Sequence, residues 1–196
     1  MKIYSKKELN EYHMSLTYDD ISLIPTEVSR IKSRTEADTS CKFLNKDLML
    51  PVLSSPMDTV TGIDMAAELS RLGCLGVLNR FDSSLSSVIN SPSNGNLVRA
   101  VSIALNSSTE EIEKLVEGKY IICIDTANAN NKEVLNKTES IKKKYNVPVI
   151  VGNVAHSATL KQLEDVGADA VRVGIGNGSV CSTSIQTGIG IGQVSS

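Results

Sequence analysis

One cysteine in this sequence stands where a nucleophile could be put to use. Cys181 lies in the run Arg172-Val173-Gly174-Ile175-Gly176-Asn177-Gly178-Ser179-Val180-Cys181-Ser182-Thr183, and Gly188, Gly190 and Gly192 follow it. Ordering so many glycines costs conformational entropy, so such a loop is expected where backbone must come very close to a ligand. Its amides and carbonyls suit a phosphate or a monovalent cation. With no apolar cover beside it in sequence, the thiol should be accessible, and backbone dipoles or a bound charge would activate it. A dinucleotide fingerprint is one alternative, because Gly174-Ile175-Gly176 follows an apolar run. That fingerprint needs a third glycine at position 179 opening an amphipathic helix; Ser179 stands there and no helical pattern is evident. The plainer alternative is an unordered C-terminal tail holding an incidental cysteine.

Polar residues also follow each apolar run upstream. They are Ser54-Ser55-Pro56-Met57-Asp58-Thr59, Asn79-Arg80, Asn106-Ser107-Ser108, Asp125-Thr126-Ala127-Asn128 and Gly152-Asn153. Any one of these could be a turn or a helix cap. Together with Gly174-Ile175-Gly176 they make six polar strand ends, and one shared rim of this kind favours a ligand site.

The apolar runs themselves read as strands: Leu48–Leu53, Cys74–Leu78, Val98–Ala104, Tyr120–Ile124, Val147–Val151 and Ala170–Val173. They lack polar alternation, as parallel strands covered on both faces do. Helical spacing appears between them in Ile63–Leu72, Ser108–Val116, Lys132–Tyr145 and Ala158–Val166, with Gly73 and Gly167 as stop signals. Ser83–Asn96 reads as a short helix and then a loop. Upstream, a short helix is expected at Lys6–Tyr12 and an extended piece at Tyr18–Ile24 ending at Pro25. Lys142-Lys143-Lys144 closes a helix and reads as a solvated face complementing its negative end. His156 reads as part of a helix start, and His13 invites no functional reading. This β-α alternation fits either an open doubly wound sheet or a (β/α) barrel, which needs eight units where about six are present.

Composition narrows the function. A net charge of −2, with no basic cluster, gives no electrostatic reason to expect nucleic acid. No apolar run approaches the roughly 20 residues that span a bilayer, and the polar N-terminus lacks the apolar centre of a signal peptide. A reducing, cytoplasmic location is expected. Cys41, Cys74, Cys123 and Cys181 form no CxxC pair, which argues against zinc and against a disulfide framework. Cys74 and Cys123 sit in apolar runs, where a thiol behaves as a small hydrophobe.

Arg172 through Thr183 closely resembles the nucleophile loop of the IMP dehydrogenase/GMP reductase family, approximately R-V-G-x-G-x-G-S-x-C-x-T, at every fixed position. Ser54–Val60, Asp125–Asn128, Gly152-Asn153-Val154 and the N-terminal Tyr18-Asp19-Asp20-Ile21 resemble further blocks of that family, in the expected order. The resemblance covers nearly the whole chain and favours an α/β fold, an incomplete (β/α)8 TIM barrel. It divides the chain into an N-terminal extension (1–46), β-α units (47–173) and a catalytic cysteine loop (174–196).

The resemblance implies the following roles. Cys181 would attack C2 of a purine nucleotide, IMP or GMP, with Thr183 beside it in catalysis. Ser55, Met57, Asn153 and Ser179 would position the nucleotide, Ser179 near its phosphate. Asp125, Thr126 and Asn128 would lie by the nicotinamide of NADP or NAD. Carbonyls of Gly176, Gly178 and Cys181 would match a monovalent-cation (K+) site.

Three departures bear on this. Ser184 stands where many members have Arg, and Gly192 where they usually have Pro, which is expected to loosen the loop. The sequence also stops at Ser196, before the last two β-α units and the flap that supplies the general base or acid. The expectation is a fragment or one half of a split enzyme, working with a complementary C-terminal half or as a homo-oligomer. The alternative is a nucleotide-binding or interaction subunit that is inactive without that half; an unrelated barrel enzyme with a phosphate loop is a third reading. Only Phe81–Leu97 separates the second and third strands, leaving no room for the regulatory module common in dehydrogenases. Asn128 also resembles the reductases, whereas Ser54-Ser55-Pro56-Met57 is closer to the dehydrogenases. The reading leans to a GMP reductase-like enzyme.

Overall fold

A computed structural model describes residues 15–24, 28, 30–83, 85–90 and 98–196. The expected helix Lys6–Tyr12, His13 and Pro25 lie outside the described residues. A hairpin comes first, β1 (Cys41–Phe43) against β2 (Lys46–Leu48). The parallel sheet follows in sequence order: β3 (Val77–Leu78), β4 (Ala100–Ile103), β5 (Ile121–Asp125), β6 (Val149–Val154) and β7 (Ala170–Val173). Helices α1 (Ile63–Arg71), α2 (Leu85–Asn90), α3 (Thr109–Glu117), α4 (Lys132–Lys144), α5 (Ser157–Asp165) and α6 (Thr183–Thr187) connect or follow the strands. This is part of a TIM barrel, as expected.

Successive strand residues go to two different cores. Val101, Ile103, Ile122, Ile124, Val149 and Val151 pack in the cluster that also holds Ala66, Ile112, Leu115, Val134, Ile141 and Leu163 of the helices. Ala100, Ile121, Cys123 and Ile150 point the other way, into a smaller cluster with Leu48, Leu75 and Val77. Both faces are therefore apolar, which explains runs without polar alternation. The hairpin plugs the second cluster, with Cys41, Phe43 and Leu44 packed against it.

Helix starts follow local chemistry. Ser108 Oγ accepts the Glu111 N–H (3.2 Å), Asn131 Oδ1 accepts that of Glu133 (2.9 Å), and His156 Nδ1 accepts that of Ala158 (3.1 Å). His156 is thus a helix cap. Gly73 and Gly167, at φ +72° and +91°, occupy the left-handed region just after α1 and α5. The three lysines closing α4 are ion-paired rather than simply solvated: Lys142 to Asp169 (2.7 Å), Lys143 to Glu139 (2.7 Å) and Lys144 to Glu113 (2.9 Å).

Three expectations are corrected. Leu48–Leu53 is not a continuous strand: Leu48 ends β2, and only Leu53 bridges the sheet, to Leu75. Pro51 lies between them, with no N–H to give to a ladder, and Met49, Leu50 and Val52 are exposed. Tyr18–Asp20 is a 3-10 turn rather than extended, because Thr17 and Asp20 form a capping box. Strand β7 is only partly buried, as the outer strand of the described sheet. The Ser83–Asn96 segment gives helix α2, and residues 91–97 lie outside the described residues.

Ile124, fully buried among helix residues, supplies a test of this core. Ile124→Ala is expected to lower unfolding free energy by about 2–4 kcal/mol, seen as a lower urea midpoint at unchanged slope. A loss under about 0.5 kcal/mol would contradict the packing described.

Candidate active site

The carboxyl ends of β5, β6 and β7 lie side by side, with Asp125 paired to Gly152 and Gly152 paired to Arg172. Glycine in the middle leaves the space above β6 open. A Cβ on Gly152 would sit 2.6 Å from the Arg172 Cβ, closer than carbon atoms approach. Arg172 reaches Asp125 across this gap, its Nη1 donating to Oδ1 at 2.9 Å. From the end of β3, Arg80 Nη1 donates to the other oxygen, Oδ2, at 3.0 Å. Both carboxylate oxygens of Asp125 are thus held by guanidinium groups, and the trio carries one surplus positive charge. About three-quarters of each side chain is shielded from solvent, which strengthens the pairing relative to an exposed one. The Arg80 guanidinium also stacks over the Phe81 ring, 4.2 Å from its centre.

Beside this trio a cleft of about 300 Å³ is lined by Ser54, Ser55, Asn153, Arg172, Gly174 and Asn177, among others. Asn153 Nδ2 donates to the Gly174 carbonyl (2.7 Å), fixing the start of the glycine loop to β6. Thr126 is occupied locally, its N–H and hydroxyl both donating to the Gly152 carbonyl at 2.9 Å. Asn128 Oδ1 accepts the Asn130 N–H (3.0 Å) in a turn.

The cysteine loop continues from Gly174 as an ordered turn, with the Cys181 N–H donating to the Gly178 carbonyl (2.9 Å). Helix α6 begins at Thr183, where the sequence offered no helical pattern; five residues are too few to display one. Cys181 is half-buried. The Thr183 hydroxyl, and after it the Thr183 N–H, hold its thiol below the ordinary cysteine range. Cys123 is the reverse case, fully buried, with burial pushing its thiol up to about 11 despite the nearby Arg172. Cys74 is buried and Cys41 half-buried.

Of the residues singled out by sequence, Ser55 and Asn153 share the cleft wall, and Cys181 and Thr183 come together. Met57, Ser179, Cys181 and Thr183 are not in that wall, and Met57 and Ser179 are exposed. Arg80, Arg172 and Asn177 were given no role from sequence. Asn79-Arg80 was visible as a polar strand end, but the meeting of two arginines on one aspartate spans residues far apart in the chain. Among the described residues no group of three or more His, Cys, Asp or Glu could hold a metal ion, and no helix is long and apolar enough to cross a membrane.

The sequence model of the IMP dehydrogenase / GMP reductase domain matches residues 15–196. The chain belongs to the IMP dehydrogenase/GMP reductase family. A GMP reductase of Streptococcus gordonii is 36% identical over 188 residues, covering 94% of this chain and 57% of the relative. A GMP reductase of Streptococcus pneumoniae is 35% identical with the same coverage. The chain therefore spans little more than half the length of these curated relatives. Family membership agrees with the (β/α) architecture and with the glycine loop after β7.

Two measurements examine the site. Alkylation of native protein should modify Cys181 and spare Cys123; Thr183→Ala should move the pH midpoint of Cys181 alkylation upward, because the largest stabiliser of the thiolate is gone. An unmoved midpoint would remove Thr183 from that role. A double-mutant cycle on Asp125 and Arg172 should give a coupling of about 1–2 kcal/mol, against about 0.5 or less for the exposed Lys161–Glu164 pair. Equal couplings would mean that the shielding contributes nothing.

Proposed function

We propose that this chain carries the nucleophile-bearing part of a purine-nucleotide oxidoreductase acting at C2, of the GMP reductase type (GMP to IMP). The observation that carries this reading is the Arg172–Thr183 loop leaving a strand end beside Asp125 and Asn153. The reductase direction is favoured over IMP dehydrogenase by the relatives named GMP reductase and by the short segment 81–97 between β3 and β4.

In this reading residues 1–46 are an extension, 47–173 the β-α units and 174–196 the catalytic loop. The Cys181 thiolate adds to C2, which becomes tetrahedral; the protonated 2-amino group then departs as ammonia, and hydride addition at C2 expels the thiolate as IMP is released. Thr183 favours the anionic form of that sulfur. Ser55 and Asn153 hold the nucleotide in the cleft, and Met57 and Ser179 approach it from the flanking loops, Ser179 at its phosphate. NADP or NAD, when bound, supplies or accepts the hydride at C2. Asp125, with Thr126 and Asn128, faces the nicotinamide; because both Asp125 oxygens already accept from arginines, it contacts the cofactor through remaining lone pairs and chiefly fixes Arg80 and Arg172.

A monovalent cation such as K+ would be held by the carbonyls of Gly176, Gly178 and Cys181. That donor set fits a weakly bound ion, since the Gly178 carbonyl keeps one lone pair after accepting the Cys181 N–H. The general acid or base comes from a complementary C-terminal half or a second copy. Free thiols and a nicotinamide cofactor suit a cytoplasmic setting. The second reading is a nucleotide-binding subunit without turnover of its own, formed by the same cleft of Ser55, Asn153 and Arg172.

The test follows absorbance of the reduced cofactor with GMP and NADPH, and with IMP and NAD. It uses the chain alone and the chain with a supplied C-terminal half of a relative. Turnover is expected with that half and should fall about 10³-fold or more in Cys181→Ala. Nucleotide binding without turnover in any combination would establish the second reading. Turnover indifferent to Cys181 would overturn the first.

A further inference from the structure

Residues 188–195 form a second layer over the cysteine loop, and the N-terminal segment straps that layer down. The Ile191 N–H donates to the Ile175 carbonyl (2.9 Å), and Gln193 Nε2 donates to the Val173 carbonyl (3.2 Å). Asn177 bonds to the Gln193 side chain. Gly176 and Gly190 both press on Ser184 of α6: a Cβ on either would lie 2.8 Å from the Ser184 Cβ. Three further bonds join this layer to residues about 180 positions earlier. The Gly192 N–H donates to Ser15 Oγ (2.5 Å), the Val194 N–H to the Leu16 carbonyl (3.0 Å), and the Leu16 N–H to Ser195 Oγ (2.7 Å).

Gly192 is the pivot of this contact. It is buried, and any side chain there would run into the Leu16 backbone. Its N–H is also in use, so a residue at this position must have an amide hydrogen as well as no Cβ. Proline, the usual residue of the family here, provides neither. The glycine therefore does not loosen the loop as its sequence suggested; it admits a tighter contact from a different part of the chain.

We infer that Ser15 and Leu16 are positioning residues for the Cys181 loop, acting through Gly192 and the 188–195 layer. The strap bears on Cys181 along a short path. Ser15 fixes Gly192, the neighbouring Ile191 fixes Ile175, and Gly190 packs on Ser184, one residue beyond Thr183. An open recess of about 310 Å³ is bordered by Ser15, Thr17, Asn177 and Ser184.

The functional meaning of this strap rests on reading Cys181 as the nucleophile; the strap itself does not. Amide hydrogen exchange on the 196-residue chain separates the two. Ser15→Ala, which removes the acceptor for Gly192, is expected to speed exchange of amides in residues 175–191 by about five- to tenfold. Ser15→Thr, which keeps the oxygen, should restore rates to within about twofold. Gly192→Ala should exceed Ser15→Ala in the same region, and β5 and β6 amides should stay unchanged in all three. The inference is overturned if the loop amides are unprotected in the parent chain, or unaffected by both Ser15→Ala and Gly192→Ala. It is also overturned if Ser15→Thr fails to rescue, or if the sheet amides speed up by the same factor. None of these outcomes depends on whether the chain turns over a nucleotide.

Discussion

The site depends on an empty place in the sheet. Three parallel strands bring Asp125, Gly152 and Arg172 to the same height, and because the middle residue has no side chain the outer two can meet over it. Any larger residue there would collide with Arg172. The pair that forms is shielded, is joined by Arg80 from beyond the end of β3, and so ties three β-α units together at the rim. Direct parallel pairing between neighbours could not do this, since it links only two strands at a time.

Much of the architecture was legible in the sequence for a simple reason. Val101, Ile122 and Val149 face the helices while Ala100, Ile121 and Ile150 face the opposite core, so every strand had to be apolar throughout. Helix boundaries were legible because their caps are local: Ser108, Asn131 and His156 each bond to an amide two or three residues away. Where reading failed, the deciding contact was distant or the signal short. The β1–β2 hairpin has three residues per strand, and only its alternation (Cys41, Phe43 and Leu48 inward, Lys42 and Asp47 outward) could have revealed it. Pro51, with no N–H for a ladder, breaks the first apolar run, although the residues around it are apolar.

The candidate site divides in the same way. The family's glycine-rich loop around Cys181 was legible because a dozen contiguous residues carry it. Asn153 and Ser55 were legible as strand-end polar residues, and both reach the cleft. Not every polar strand end is given over to the rim, since Ser108 caps a helix. What composition could not convey was partnership. Arg80, Asp125 and Arg172 are separated by 45 and 47 positions, and Ser15 is 177 positions from Gly192. Only folding makes either set a unit.

The contrast between two thiols has a consequence for the life of the protein. Cys123 lies deep in the sheet and is reluctant to ionise, whereas Cys181 sits half-open on a loop that favours its anion. A half-open thiol whose anion is favoured is also ready for peroxide, because oxidation begins with the thiolate. Oxidative damage should therefore begin at Cys181, long before it reaches the core.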